Sequence, residues 1–134
     1  MKAIWVNIQI GLAALGGWAG YTLGGFDGFV YALIFFMAAD YITGVMRAIL
    51  GKKLSSNIGF RGIFKKAMIF IMAALGNLID RELIGSGSVI RTAVIFFYLS
   101  NEGISLLENA VYIGLPVPKK LREVLAQLRG KDGE

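Results

Sequence analysis

The sequence predicts an all-α membrane protein with about four transmembrane helices and a short amphipathic helix in a C-terminal cytoplasmic tail. Three observations carry this. The chain has 134 residues, of which 56% are hydrophobic and 17% charged, and its mean hydropathy is +0.65. Soluble domains are about a quarter charged, and a single domain of this length cannot hide so much apolar surface. The charges are also excluded from long runs, and the cations gather in three regions. This composition excludes a disordered chain, collagen and a disulfide scaffold. The chain contains no Cys and no His. Redox compartment therefore cannot be read from thiols, and the commonest general base and metal ligand is missing.

A span needs about 20 apolar residues. The first element, about 3–24, is uncharged from Ala3 to Phe26. A cleaved signal peptide is the alternative, but a single Lys2 and an overlong apolar core fit it poorly. Gly16, Gly20 and Gly24 recur at four-residue spacing, as in a ridge that lets two membrane helices approach closely. The alternative is that Gly24, Gly25 and Gly28 form a tight turn around Asp27. The second element, about 28–47, is interrupted only by Asp40. A carboxylate there is paired, pore-facing or a helix–helix hydrogen-bonding group. Arg47 lies on the same face but about 10 Å along the axis, too far for a direct pair without help from a neighbouring helix.

A basic loop over 48–62 follows, whose Ser55, Ser56 and Asn57 are turn or cap residues. Its cations and apolar residues suit anionic headgroups; nucleic acid is not an expected partner. The third element, about 62–83, reaches span length only if Lys65 and Lys66 snorkel to the headgroups.

The fourth, about 90–113, is amphipathic. Arg91, Tyr98, Glu102, Ser105 and Asn109 fall within a sector about 60° wide at 100° per residue, widened on one side by Asn101, Glu108 and Tyr112. Such a stripe must face other helices or water. It is either a polar zipper inside a bundle or the lining of a pore. Gly114, Pro116 and Pro118 end this helix. In the tail, Leu121, Val124, Leu125 and Leu128 follow at helical spacing, bounded by Gly130.

These elements give a transmembrane domain over 1–114 and a basic tail over 115–134. Lys2, the Arg47–Lys66 region and the tail hold 12 of the 14 Lys and Arg. Four spans put all three regions on one side, so both termini are expected in the cytoplasm of a multi-pass protein of the bacterial cytoplasmic membrane. Three spans plus a surface-lying fourth helix is the alternative.

No catalytic constellation is evident. Glu102 and Glu108 lie about 120° apart on their helix and do not converge as an acid/base pair. Gly85-Ser86-Gly87-Ser88 lacks the Lys of a phosphate loop. No enzyme activity, cofactor or metal is expected.

Asp40-Tyr41-Ile42-Thr43-Gly44-Val45, Lys53-Leu54-Ser55-Ser56 and Gly59-Phe60-Arg61-Gly62 resemble the core motif of the phage lysis and toxin-secretion holins of Gram-positive bacteria. Arg91-Thr92-Ala93-Val94, Asn101-Glu102-Gly103 and the Pro116–Leu121 tail start also match that family in order and spacing. Together the matches cover about Ala39 to Leu128. The resemblance implies a homo-oligomer in the bilayer that opens holes, with endolysin or a large toxin as released cargo rather than a tight ligand. A small-solute or ion channel or transporter subunit, or an inhibitory holin partner, are the competing classes.

Overall fold

The computed structural model describes residues 1–129, so the tail's Gly130 and Lys131 lie outside it. The chain is an all-α membrane protein, with five α-helices among the described residues: α1 (Lys2–Leu23), α2 (Gly28–Leu50), α3 (Ser56–Leu78), α4 (Val89–Ile113) and α5 (Lys119–Arg129). A π-helical turn, Ile79–Ile84, extends α3.

Local chemistry sets the helix ends. Asp27 caps α2 by accepting from Val30 N–H at 3.1 Å, and Ser55 caps α3 by accepting from Ile58 N–H at 3.2 Å. Such caps satisfy N–H groups that have no partner within the helix. Ser55 explains why α3 begins at Ser56, where the charge pattern suggested a loop continuing to 62. Left-handed glycines close three elements: Gly24 (φ 84) after α1, Gly85 (φ 92) after the π turn and Gly114 (φ 109) after α4.

α2 and α4 run parallel, and α3 runs antiparallel to both. The starts of α2 and α4 meet where Arg91 bonds Asp27. Their far ends meet where the Arg47 guanidinium stacks over the Tyr112 ring at 4.4 Å. The half of this bundle nearer Asp27 and Arg91 holds an apolar core of Leu23, Val30, Leu33, Met37, Ile69, Ala73 and Ile95. Large apolar side chains elsewhere point outward, including Ile34, Phe35, Met68 and Ile71, as expected where lipid replaces water.

α1 is attached differently. Every residue from Met1 to Leu15 is exposed, and Gly20 and Leu23 are its buried residues. The glycines of the proposed ridge separate in consequence. A Cβ at Gly16 would meet nothing within 4 Å, whereas one at Gly20 would come within 2.8 Å of the Phe26 ring. Gly24 lies in the turn, outside the helix. Gly20→Leu is therefore expected to push Phe26 aside and lower the thermal midpoint of the detergent-solubilised protein. Gly16→Leu should leave the midpoint unchanged and alter only crosslinking between copies. A loss of stability with Gly16→Leu would contradict this placement.

α1, α2 and the combined Ser56–Ile84 element are long and apolar enough to cross a membrane. α4 has 25 residues, about 37 Å at 1.5 Å per residue. Arg91, Glu102 and Glu108 keep it out of the same apolar class.

Candidate functional site

The polar stripe of α4 is the buried face of that helix within the single chain. Arg91, Glu102 and Asn109 are buried, Tyr98, Asn101 and Ser105 half-buried, and Glu108 and Tyr112 exposed. Glu108 and Tyr112 are thus separated from the other stripe residues.

At mid-height, three helices converge on one ammonium. Lys66 Nζ of α3 donates to Asp40 Oδ2 of α2 at 3.0 Å. It also donates to both carboxylate oxygens of Glu102 on α4, at 3.1 and 3.0 Å. Side-chain exposures of 18% for Lys66, 13% for Asp40 and 8% for Glu102 put the cluster largely out of solvent. Asp40 and Glu102 each lie about 18–20 Å from the start of their helix, at the same height in the bundle. This corrects the expected position of Lys66: it does not snorkel outward. Lys65, its neighbour, is exposed. Helical geometry explains the difference, since consecutive residues diverge by about 100°.

Asn109 continues the seam toward the end of α2. Its Nδ2 donates to Asp40 Oδ1 at 3.1 Å and to Thr43 Oγ1 at 3.0 Å, and its Oδ1 accepts from Arg47 at 3.5 Å. The motif residues pack beside it. The Tyr41 hydroxyl donates to Gly59 O at 3.4 Å. A Cβ on Gly62 would sit 3.3 Å from the Tyr41 ring, so glycine there allows α2 and α3 to close together. Gly44 also lines this region, in a cleft of about 210 Å³ bounded by Asp40, Lys66, Ser105 and Asn109. Ser55 is not in the cleft; it caps α3.

At the other end, Arg91 ties three elements together. It is 4% exposed. Its Nη1 and Nη2 donate to the two oxygens of Asp27 at 2.8 and 3.1 Å. Its Nε donates to Leu23 O, and Nη2 also donates to Gly25 O at 3.3 Å. A Cβ on Gly24 would lie 2.7 Å from the Arg91 Nε and 2.6 Å from Asn77 Oδ1. Asn77 in turn donates to Thr22 O at 2.9 Å. Asp80, 1% exposed, accepts from the N–H groups of Ile90 and Arg91 at 3.1 and 2.8 Å. It thereby caps α4 from the preceding element, because Ser88 makes no side-chain cap.

The hydrogen bonds from Arg91 hold the Asp27 carboxyl below its ordinary pKa, and partial burial opposes them. A lowered carboxyl pKa stabilises the fold above the unfolded value, about 4, and that contribution disappears as pH falls through the folded value. Asp27→Asn should therefore remove part of the acid-induced drop in thermal midpoint below about pH 4. An unchanged acid profile would show that the pair contributes nothing.

The roles of Lys66, Asn77, Asp80 and Asp27 in these contacts are absent from the sequence reading. One signal for Lys66 was available: two acids within apolar segments call for a cation, and the third span needs Lys66 to reach full length.

These features define a helical membrane protein with a charged seam buried between its helices. The profile of the bacteriophage holin family matches residues 17–130, and the chain belongs to that family. It is 39% identical over 132 residues to an uncharacterised protein of Clostridium perfringens, covering 98% of each chain. An uncharacterised protein of Listeria monocytogenes is 41% identical over 129 residues, covering 96% of this chain and 91% of the relative. A probable holin of Bacillus phage phi105 is 34% identical over 86 residues, covering 64% of this chain and 63% of the phage protein. No solved structure matches the chain.

Proposed function

We propose that the protein is a holin: it oligomerises in the cytoplasmic membrane and opens holes through which an endolysin or a large toxin leaves the cell. Family membership supports the holin-like role. The observation that carries the mechanism is the position of the α4 polar stripe, satisfied internally by Lys66 on α3 and Asp40 on α2.

A dry bundle can keep Glu102 in lipid because its charge is met. A ring of chains can wet the same stripe if α3 moves away, and water then solvates both partners. The chain thus has two states in which its polar groups are satisfied, one closed and one assembled. Asp40, Arg91, Tyr98, Asn101, Glu102, Ser105 and Asn109 are the groups available to face that water. Glu108 is exposed on the closed bundle and belongs to a contact between copies or to the rim.

The test is inducible expression in bacteria with and without an endolysin. A holin arrests growth abruptly and lyses cells only when the endolysin is present. Growth arrest without release of the folded enzyme would favour a small-solute or ion channel, and no arrest an inhibitory partner.

Topology has its own test. With four spans and both termini inside, single Cys residues at Gly85 and Ala126 label from opposite sides of the membrane, Ala126 from the cytoplasm. The chain has no native Cys to interfere. Labelling of both from one side would sink the four-span arrangement.

A further inference from the structure

The bundle ends differ in charge. At the outer knot, Arg91 is paired with Asp27. At the opposite end, Lys52 and Lys53 lie in the α2–α3 turn, Arg61 and Lys65 on the outward face of α3, and Lys119, Lys120 and Arg122 on α5. All seven are exposed, and among the described residues none forms an ion pair. Among the described residues, the carboxylates on the last turns of α4 and on α5 are Glu108 and Glu123.

Apolar side chains lie among these cations. Phe60 and Phe64 stack on the outward face of α3 with centroids 6.5 Å apart and remain 59% and 67% exposed. On α5, Leu121 and Val124 are 46% and 45% exposed. They share one edge of the helix, while Lys119, Lys120 and Arg122 flank the other side at 100° per residue. Gly114 turns the chain out of α4 with φ 109, and Pro116 and Pro118 prevent α4 from continuing, so α5 starts on a new axis.

A cationic helix that packs against α4 yet leaves Leu121 and Val124 nearly half exposed, joined by five residues to the membrane end of a bundle, has the form of an interfacial helix. We propose that α5 lies in the headgroup layer of an anionic leaflet. Leu121 and Val124 face the acyl chains there, Lys119, Lys120 and Arg122 face lipid phosphates, and Arg61 and Lys65 snorkel into the same layer from α3. Charge complementarity selects this occupant over a second copy of the chain, whose own formal net charge is +5. Near an anionic surface each cation is worth roughly fivefold in partitioning, so three give on the order of a hundredfold. The inference needs only that the chain is embedded in a membrane, so it survives if hole formation fails.

The test uses the full chain in vesicles, with a spin label on a single Cys at Val124 or at Gln127 on the polar edge. Vesicles of phosphatidylcholine alone are compared with phosphatidylcholine–phosphatidylglycerol vesicles. In the anionic vesicles the label at 124 should be protected from a water-soluble relaxation agent, and the label at 127 should stay accessible. Neutral lipid, high salt or the combined Lys119→Gln, Lys120→Gln and Arg122→Gln variant should raise accessibility at 124 several-fold. Equal accessibility at 124 in both lipids would place α5 in water. Equal protection in both, persisting in high salt, would place it on protein, against this chain or another copy. Either result overturns the proposal.

Discussion

Lys66→Met is expected to destabilise the bundle far more than Asp40→Asn or Glu102→Gln, although all three remove one charge from the same cluster. The reason is stoichiometric. One ammonium serves two carboxylates. Neutralising either acid leaves a one-to-one pair and retains a hydrogen-bonding oxygen, a change of about 1 kcal/mol. Removing the ammonium leaves Asp40 and Glu102 facing each other in a largely dry site, and breaking a buried pair in this way costs roughly 3–5 kcal/mol. Lys66→Met should therefore lower the thermal midpoint sharply. At matched membrane levels it should also advance growth arrest, since the closed bundle has lost the group that holds α3 against α2 and α4. Adding Asp40→Asn and Glu102→Gln to Lys66→Met should recover much of the stability. If Glu102→Gln alone matches Lys66→Met, the lysine is not the group that balances the seam. If all variants kill with wild-type timing, the seam has no part in triggering.

The same cluster shows how far the sequence could be read. Long uncharged runs identify α1, α2 and much of α3 because transfer into hydrocarbon depends on composition, which needs no tertiary information. The α4 stripe was legible because its residues share one helix and a fixed angular period. Its occupant was not. Lys66 is 26 residues from Asp40 and 36 from Glu102, and pairing over such separations depends on the relative rotation and height of three helices. Two adjacent lysines in a span of marginal length look alike, yet Lys65 is exposed and Lys66 half-buried. The cap of α4 was hidden for a similar reason: it comes from Asp80, ten residues before Ile90, and not from Ser88, which occupies the N-cap position without a side-chain cap. The glycines illustrate the converse. Four-residue spacing suggested one ridge, but Gly24 lies beyond the end of α1 with φ 84, so the ridge stops at Gly20.

Arg91→Leu should be the other severe substitution, and its signature should differ from that of Lys66→Met. Arg91 holds no second helix at mid-height. It fixes the α1–α2 turn by donating to Leu23 O, Gly25 O and both oxygens of Asp27. At 4% exposure it leaves little room for water to take over those acceptors. Leucine would strand one carboxylate and two carbonyls, a loss of roughly 3–5 kcal/mol by comparison with other buried pairs. Asp27 is 44% exposed at its side chain and can recover part of its solvation, which places the cost at the low end. Since α1 is buried only near its C-terminal end, the expected outcome is detachment of α1 with α2, α3 and α4 still packed. Hydrogen exchange should rise through Thr22–Val30 and remain slow around Asp40, Lys66 and Glu102. Lysine at position 91 supplies one charged donor group but cannot reach the two carbonyls and both carboxylate oxygens from a planar fork. Arg91→Lys should accordingly restore membrane accumulation only in part. Asp27→Asn in the Arg91→Leu background should add little further loss, because the pair is already broken. If exchange rises equally around Lys66, the Arg91 knot and the Lys66 seam form one cooperative unit, and the separate placement of α1 is wrong.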